Sequence, residues 1–165
     1  MKSVLMSIKP KYCELIAAGK KTIEVRKTRP KIETPFKCYI YMTKSNLVGD
    51  RKAYKDRLAG KVIGEFVCDE ILCFPYVEGE EAGEYVYNIP TVIGEQTCLD
   101  YGDVSNYGNG KSLYFWHISD LVIYDKPKAL SKFINKSSQF TFSKDGALVY
   151  KGLTRPPQSW CYVEG

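Results

Sequence analysis

The sequence predicts a small α+β fold in which short strands form a mixed or antiparallel β-barrel. Two observations lead to this prediction: about six short runs are rich in β-branched and aromatic residues, and only two or three segments have helical spacing. This balance favours a small barrel over a parallel βαβ sheet. The chain has 165 residues, the usual length of one domain, so we expect a single domain over residues 1–165.

The first elements are the clearest in the sequence. Residues 3–8 are expected to form a strand, and a helix is expected over residues 10–18 because Pro10 suits the first turn of a helix. Gly19 can adopt the left-handed conformation that ends a helix. Residues 22–26 then alternate apolar and polar, which predicts a strand with Ile23 and Val25 facing the core.

The remaining segments are assigned from composition and turn residues. Strands are expected over residues 36–43, 61–71, 113–118, 121–124, 147–151 and 159–163, helices over 96–107 and from 127 towards 133, and loops over 46–54 and 75–84. No run approaches the roughly 20 apolar residues of a membrane helix, and lysines interrupt the N-terminus too early for a signal peptide. We therefore expect a cytoplasmic protein with no membrane partner.

Charge is distributed unevenly along the chain. The net charge of +5 combines 15 Lys/Arg against 5 Asp/Glu in residues 1–57, 1 against 10 in residues 58–110, and 8 against 4 in residues 111–165. A basic N-terminal third favours an anionic partner, such as RNA or a nucleotide-like small molecule, over a neutral one. The alternative is that the basic third contacts an acidic protein.

Cysteine spacing gives no sign of a metal site. The six cysteines include no C-x-x-C pair, and the chain has one histidine. We expect free, mostly buried thiols, no metal and no cofactor.

The most distinctive motif lies where the first helix meets the second strand. It reads Gly19-x-Lys21-x-x-Glu24-x-Arg26. A lysine can meet a phosphate as a point charge, an arginine can donate two hydrogen bonds to a phosphate or base edge, and a glutamate can accept from an amine. The alternative interpretation is a surface ladder of ion pairs formed by Thr22, Glu24 and Arg26.

This motif, in its place after a strand and a helix, resembles the signature of the ASCH domain, a relative of the RNA-binding PUA domain. The segments 60–64, 116–120 and 127–131 resemble the same family in the same order. The resemblance implies a PUA-like β-barrel of about six strands, with a cleft that binds RNA or a modified nucleoside. The residues we expect to line the cleft or contact the ligand are Lys9, Lys20, Lys21, Glu24, Arg26, Trp116, Arg155 and Trp160.

The resemblance also implies a second possibility, a small metal-independent hydrolase that uses the same cleft. Some relatives hydrolyse acetylated cytidine with the motif lysine and a threonine, and others are ribonucleases. Here Lys21 matches the lysine, but Glu24 occupies the threonine position, and residues 78–84 offer four equally plausible downstream acids. Lys21 and Glu24 could still act on RNA, with the lysine stabilising phosphate charge and the glutamate taking the 2′-hydroxyl proton. In that case His117 is a third candidate catalytic residue.

Two aromatic segments complete the set of candidates. In the strand 114–117, alternation places Tyr114 and Trp116 on one face and Phe115 and His117 on the other. Near the C-terminus, Pro156 and Pro157 stiffen the chain between Arg155 and Trp160. Both tryptophans are interpreted either as core residues or as stacking surfaces for a base.

Overall fold

The computed structural model describes residues 2–44, 57–81, 83–135 and 140–164. In this part of the chain, helices α1 to α3 cover Pro10–Ala17, Thr91–Gln96 and Tyr101–Gly108. Strands β1 to β12 cover Lys2–Ile8, Ile23–Arg26, Phe36–Met42, Lys61–Cys68, Ile71–Phe74, Tyr76–Glu78, Tyr85–Tyr87, Leu113–His117, Ser119–Ala129, Phe140–Phe142, Leu148–Tyr150 and Trp160–Glu164. Contacts divide the chain into two compact units, residues 1–14, 36–67 and 120–165, and residues 15–35 and 68–119. The single domain stays a prediction.

The first unit is built on a five-stranded sheet with the order β12-β1-β3-β4-β9. Strand β1 pairs in parallel with β3 and antiparallel with β12, so Leu5 lies opposite both Tyr39 and Cys161. Residues 3–8 of β1 are all buried, as expected of a central strand with both faces covered. Around Leu5, Tyr39 and Val62 the side chains form one hydrophobic cluster.

The second unit is built on an antiparallel three-stranded sheet with the order β2-β8-β5. Ile23 and Val25 of β2 join Phe115 of β8 in a hydrophobic cluster that also contains Val104 of α3. The prediction that Ile23 and Val25 face the core is therefore confirmed. Because side chains alternate along a strand, the other side chains of β2 lie on the opposite face.

Several predicted elements need correction. The expected strand over residues 61–71 is two strands, β4 and β5, interrupted at Asp69 and Glu70, and the expected loop over 75–84 contains β6. The expected helix from residue 127 is wrong, because β9 continues to Ala129 and only a 3₁₀ turn follows. Pro127 is tolerated there because β9 is an edge strand, whose outer side needs no N–H donor.

The expected helix over residues 96–107 is instead two helices. Helix α2 ends at Gln96, and α3 starts after Asp100, whose carboxylate accepts a 2.6 Å hydrogen bond from the backbone N–H of Asp103. The expected loop over residues 46–54 lies outside the described residues. Among the strands described, the sheets are mixed and antiparallel but no sheet closes on itself, so the α+β class is confirmed and the barrel of about six strands is not. None of the helices described has the length and apolar composition needed to cross a membrane.

Candidate functional site

The end of α1 determines where the motif lysine lies. Gly19 has φ of +68°, the left-handed conformation for which glycine is favoured. The N–H groups of Gly19 and Lys20 donate to the carbonyl oxygens of Ile16 and Leu15, at 2.9 Å each, which is the Schellman pattern of helix termination. The helix therefore ends in a turn at Gly19, and Lys21 lies between α1 and β2.

Lys21 is buried despite its charge, with 2% of the residue exposed. Its Nζ donates a 2.6 Å hydrogen bond to the carbonyl oxygen of Thr97 and lies 3.3 Å from Oε2 of Glu24. A buried ammonium group is stable only when it is paired and hydrogen-bonded, and this one has both kinds of partner. The side chain of Lys21 is therefore packed inside the second unit and does not lie on its surface.

Glu24 connects Lys21 to the third charged residue of the motif. Its Oε1 lies 2.9 Å from Nη2 of Arg26, and both residues are 7% exposed. One carboxylate is therefore shared by two cations, and we call Lys21, Glu24 and Arg26 the charged triad. At neutral pH the triad carries a formal charge of +1. The interpretation of Thr22, Glu24 and Arg26 as a surface ladder of ion pairs is wrong, because Glu24 and Arg26 are buried.

Strand pairing explains how the triad comes to lie on one face. In the register of β2 and β8, Glu24 is opposite Trp116, Val25 is opposite Phe115 and Arg26 is opposite Tyr114. Val25 and Phe115 face the hydrophobic cluster, so Glu24 and Arg26 lie on the other face of the same sheet. The fully buried indole of Trp116 helps to keep that face out of water.

A segment far along the chain holds the motif in place. The carbonyl oxygen of Gln96 accepts from the N–H of Thr22 at 3.0 Å, and the Cys98 thiol donates to the carbonyl of Lys20 at 3.4 Å. Thr97 lies between them and is completely buried, with its hydroxyl donating to the carbonyl of Gly94 at 2.6 Å. Residues 96–98 therefore hold the chain on both sides of Lys21, through the backbone carbonyl of Gln96 at Thr22 and the side-chain thiol of Cys98 at Lys20.

No pattern in the sequence predicts that residues 96–98 contact the motif. Lys21 binds the backbone carbonyl of Thr97, and backbone carbonyls are present at every position, so no residue pattern marks the contact. The positive φ of 53° at Cys98, which turns the chain after α2, is equally invisible because cysteine is not a typical residue of left-handed turns.

Tyr107 of α3 is a further site residue that sequence reasoning missed. Burial raises the pKa of its phenol, the Arg26 charge opposes this rise and the Glu24 charge adds to it. Tyr107 is 38% exposed, and Nζ of Lys27 lies 4.9 Å from the centroid of its ring. Tyr107 therefore brings an aromatic ring within electrostatic reach of the charged triad.

His117 is paired with a carboxylate outside the charged triad. Its Nδ1 lies 2.7 Å from Oδ1 of Asp69, and the two side chains are 38% and 45% exposed. The hydrogen bond from His117 lowers the pKa of Asp69. In the sheet His117 lies opposite Ile23, a core residue, so it does not join Lys21 and Glu24 on their face.

The other predicted contact residues belong to both units. Trp116 lies beside Glu24 but is fully buried, so its ring offers no open face to a base. Lys20 is exposed next to the triad. Lys9, Arg155 and Trp160 belong to the first unit, where the first two are exposed and the Trp160 ring lies edge-on to Tyr162 at 5.5 Å. The acids of residues 78–84 are all exposed, and the carboxylate that contacts Lys21 is that of Glu24.

No metal site accompanies the triad in the part of the chain that the structure describes, where no group of three or more His, Cys, Asp or Glu side chains is arranged to hold an ion. All six cysteines are free thiols. Three of them, Cys13, Cys38 and Cys68, are buried as expected, whereas Cys73 is exposed and the other two are half-buried.

The fold is of the α+β class with mixed and antiparallel sheets, and the candidate site is a buried cluster of two cations and one carboxylate. Residues 6–71 match the family model described as the ASCH domain, and this range includes the whole motif from Gly19 to Arg26. Residues 6–71 are therefore similar to the ASCH domain, and the resemblance drawn from the motifs of the sequence is confirmed.

Solved structures support the same fold. The crystal structure of ASCH from Zymomonas mobilis has a TM-score of 0.56 and 17% sequence identity, with 98% of this chain and 87% of that chain covered. A point mutant of the same protein has a TM-score of 0.56 and 16% identity, with 99% and 91% covered. At this identity the likeness is one of fold. Comparison with curated proteins finds no significant match.

Proposed function

We propose that this chain binds a nucleotide-like ligand, either RNA or a modified nucleoside, at the charged triad. The observation that carries the proposal is the burial of three charged residues with a net charge of +1, two of them in β2 and one just before it. Taking a charge out of water costs several kcal/mol per ion, and a well-packed hydrophobic cluster is often as stable or more stable. Stability alone is therefore a weak reason for the triad.

The charge balance indicates the chemistry of the ligand. Two cations share one carboxylate, and the excess positive charge acts in surroundings that screen it less than bulk water does. An anionic phosphate or a strongly polar carbonyl oxygen is the group that such a site attracts. The Arg26 guanidinium can donate to two acceptors in one plane, which suits a phosphate or the edge of a nucleobase.

Tyr107 adds a surface for the base itself. Its partly exposed ring lies within electrostatic reach of Arg26, and Lys27 lies over the ring, so an aromatic face and two cations occur together. Stacking on an aromatic ring is worth roughly 1–3 kcal/mol per base. Because a buried triad cannot lie along a long stretch of backbone, we propose that its ligand is one nucleotide unit, free or turned out of an RNA strand.

The second candidate is a metal-independent hydrolase, favoured by the 3.3 Å contact between Lys21 and Glu24. On RNA, Glu24 would take the proton of the 2′-hydroxyl, the 2′-oxygen would attack phosphorus, and the departing 5′-oxygen would take a proton from the Lys21 ammonium. The products would be a 2′,3′-cyclic phosphate and a free 5′-hydroxyl. Hydrolysis of an acylated nucleoside is less well supported, because Glu24 stands where those relatives have a threonine.

The test is a screen of modified nucleosides and short RNAs at two salt concentrations, scored for both binding and product. Binding without product supports the first candidate, and a cyclic phosphate product supports the second. RNA binding that weakens steeply with salt indicates phosphate contacts and argues against a contact with an acidic protein instead. No binding and no product from any probe would contradict both candidates.

The triad can be tested with one conservative substitution and a control. Glu24→Gln keeps the shape of the side chain but removes the charge shared by Lys21 and Arg26, and it should lower ligand affinity at least tenfold. Glu14→Gln alters an exposed glutamate of α1 and should leave affinity unchanged. Thermal unfolding of both variants shows whether a loss of affinity comes from a loss of folding.

A further inference from the structure

Strands β10 and β11 form a two-stranded sheet that exposes four large apolar side chains. Phe140 and Phe142 of β10 are 56% and 66% exposed, and Leu148 and Val149 of β11 are 47% and 43% exposed. Most apolar side chains of this unit are buried in its sheet core. We call residues 140–150 the exposed hairpin.

The two faces of the exposed hairpin carry different side chains. Phe140 lies opposite Tyr150 and Phe142 lies opposite Leu148, and all four side chains share one face because they occupy alternate positions. The two phenylalanine rings are 6.2 Å apart at 84°, so they stand beside each other without covering each other. Val149 lies on the opposite face.

The turn of the exposed hairpin is polar. The N–H groups of Gly146 and Ala147 donate to the backbone carbonyl and side chain of Ser143, at 3.0 Å each. Lys144 and Asp145 are exposed in this turn. Insertion into a lipid surface would require an apolar tip. The polar turn of this hairpin therefore argues against membrane insertion.

The apolar area is also small for a protein interface. Since a large aromatic side chain buries about 150–250 Å², the exposed parts of the four apolar side chains amount to roughly 400 Å². A stable dimer buries about 800 Å² on each partner. A second copy of the chain would therefore need far more surface than the exposed hairpin provides.

Charge around the hairpin favours an anion. Lys144 lies in the turn and Lys151 directly follows β11, so an exposed lysine stands near each end of the strand pair. Between residues 140 and 155 there are three cations, with Arg155 as the third, and one carboxylate, that of Asp145. Two open aromatic rings between lysines are the combination that binds single-stranded nucleic acid, because bases stack on the rings and phosphates meet the ammonium groups.

We propose that the exposed hairpin is a binding surface for single-stranded RNA, separate from the charged triad. Phe140 and Phe142 provide the stacking surface, and Lys144 and Lys151 contact the phosphates at either end. The two sites lie in different units of the chain. The proposal does not depend on what the triad binds.

The experiment measures the affinity of the full chain for a short fluorescent oligouridine by anisotropy. Phe140→Ala combined with Phe142→Ala should weaken binding about tenfold or more, since stacking accounts for that much per base. Phe140→Tyr combined with Phe142→Tyr keeps both rings and should retain the affinity. Val149→Ala removes an exposed apolar side chain from the other face and should change the affinity less than about twofold.

Variants of the two lysines test the phosphate contacts, and two further measurements test whether the hairpin instead binds a second copy of the chain or a membrane. Replacing both Lys144 and Lys151 by alanine should reduce the slope of log affinity against log salt by about 1.4. The proposal is overturned if the wild type does not bind the RNA or if the alanine pair at the phenylalanines binds it normally. It is also overturned if that pair loses only self-association in sedimentation or only binding to anionic vesicles. Nucleoside affinity at the triad should not change in any of these variants, so the two proposals can fail separately.

Discussion

The Nζ atom of Lys21 donates a 2.6 Å hydrogen bond to the carbonyl oxygen of Thr97, a residue 76 positions further along the chain. This bond joins the end of α1 to the segment between α2 and α3, and Glu24 receives the same ammonium group from the other side at 3.3 Å. Lys21 therefore has two roles in the second unit. Its hydrogen bond to Thr97 joins the start of β2 to the segment between α2 and α3. Its ammonium group is one of the two positive charges of the triad.

The first prediction concerns stability. Lys21→Ala should lower the free energy of unfolding by about 3–5 kcal/mol, because it removes one partner of a buried ion pair and leaves Glu24 short of a cation. Denaturant unfolding measures the loss. Lys20→Ala, at the exposed neighbouring position, is the control and should change stability by less than about 0.5 kcal/mol. Equal effects at the two positions would show that Lys21 is not buried as described.

The second prediction concerns acid stability at Asp69. The hydrogen bond from His117 lowers the pKa of Asp69 in the folded state. A lowered folded pKa means that Asp69 stabilises the fold above the ordinary aspartate pKa of about 3.9, and that this contribution disappears as the pH falls through the folded pKa. Asp69→Asn should therefore be less stable than the wild type at pH 7, and the two should converge in acid.

Urea unfolding between pH 7 and pH 2 measures this convergence. Asp125→Asn, at an exposed position of β9, is the control and should follow the wild type closely. A stability difference for Asp69→Asn that stays constant down to pH 2 would argue against the pairing with His117.

The third prediction concerns thiol reactivity. Cys73 is exposed, whereas burial raises the pKa of Cys68 to about 12 and that of Cys161 to about 11. Because the thiolate is the reactive form, a disulfide reagent at pH 8 should modify Cys73 first and leave Cys68 unmodified until the protein unfolds. The fast phase should be absent from Cys73→Ser. A fast phase that persists in this variant would identify a different reactive thiol.

The sequence was informative where local patterns decide the structure. The helix from Pro10, its end at Gly19 and the core positions Ile23 and Val25 all follow from spacing and turn chemistry, and the structure confirms them. The motif also identified Lys21, Glu24 and Arg26 as one group. Local spacing predicts that such residues share a region, but it does not predict whether that region is buried.

Other features depend on contacts between distant segments. Thr97 joins the site through its backbone carbonyl, and Tyr107 of α3 lies within electrostatic reach of Arg26 and Glu24. His117 was predicted to be a candidate catalytic residue from its chemistry alone. The register of β8 places it opposite Ile23 and not opposite Glu24. The break at Asp69 and the strand character of Pro127 likewise depend on sheet pairing, which a local pattern does not contain.

Ligand binding by a chain in which all three triad residues are replaced by methionine is the most direct measurement. Lys21→Met, Glu24→Met and Arg26→Met together remove the charges without leaving one of them unpaired, so the variant should unfold within a few degrees of the wild type. The tightest nucleoside or RNA nucleotide from the screen is then titrated into both proteins. The proposed function predicts that the folded triple variant loses at least about 99% of the affinity, since charge-assisted hydrogen bonds contribute roughly 1.5–3 kcal/mol each. Unchanged affinity in a folded triple variant would show that the triad serves the fold alone.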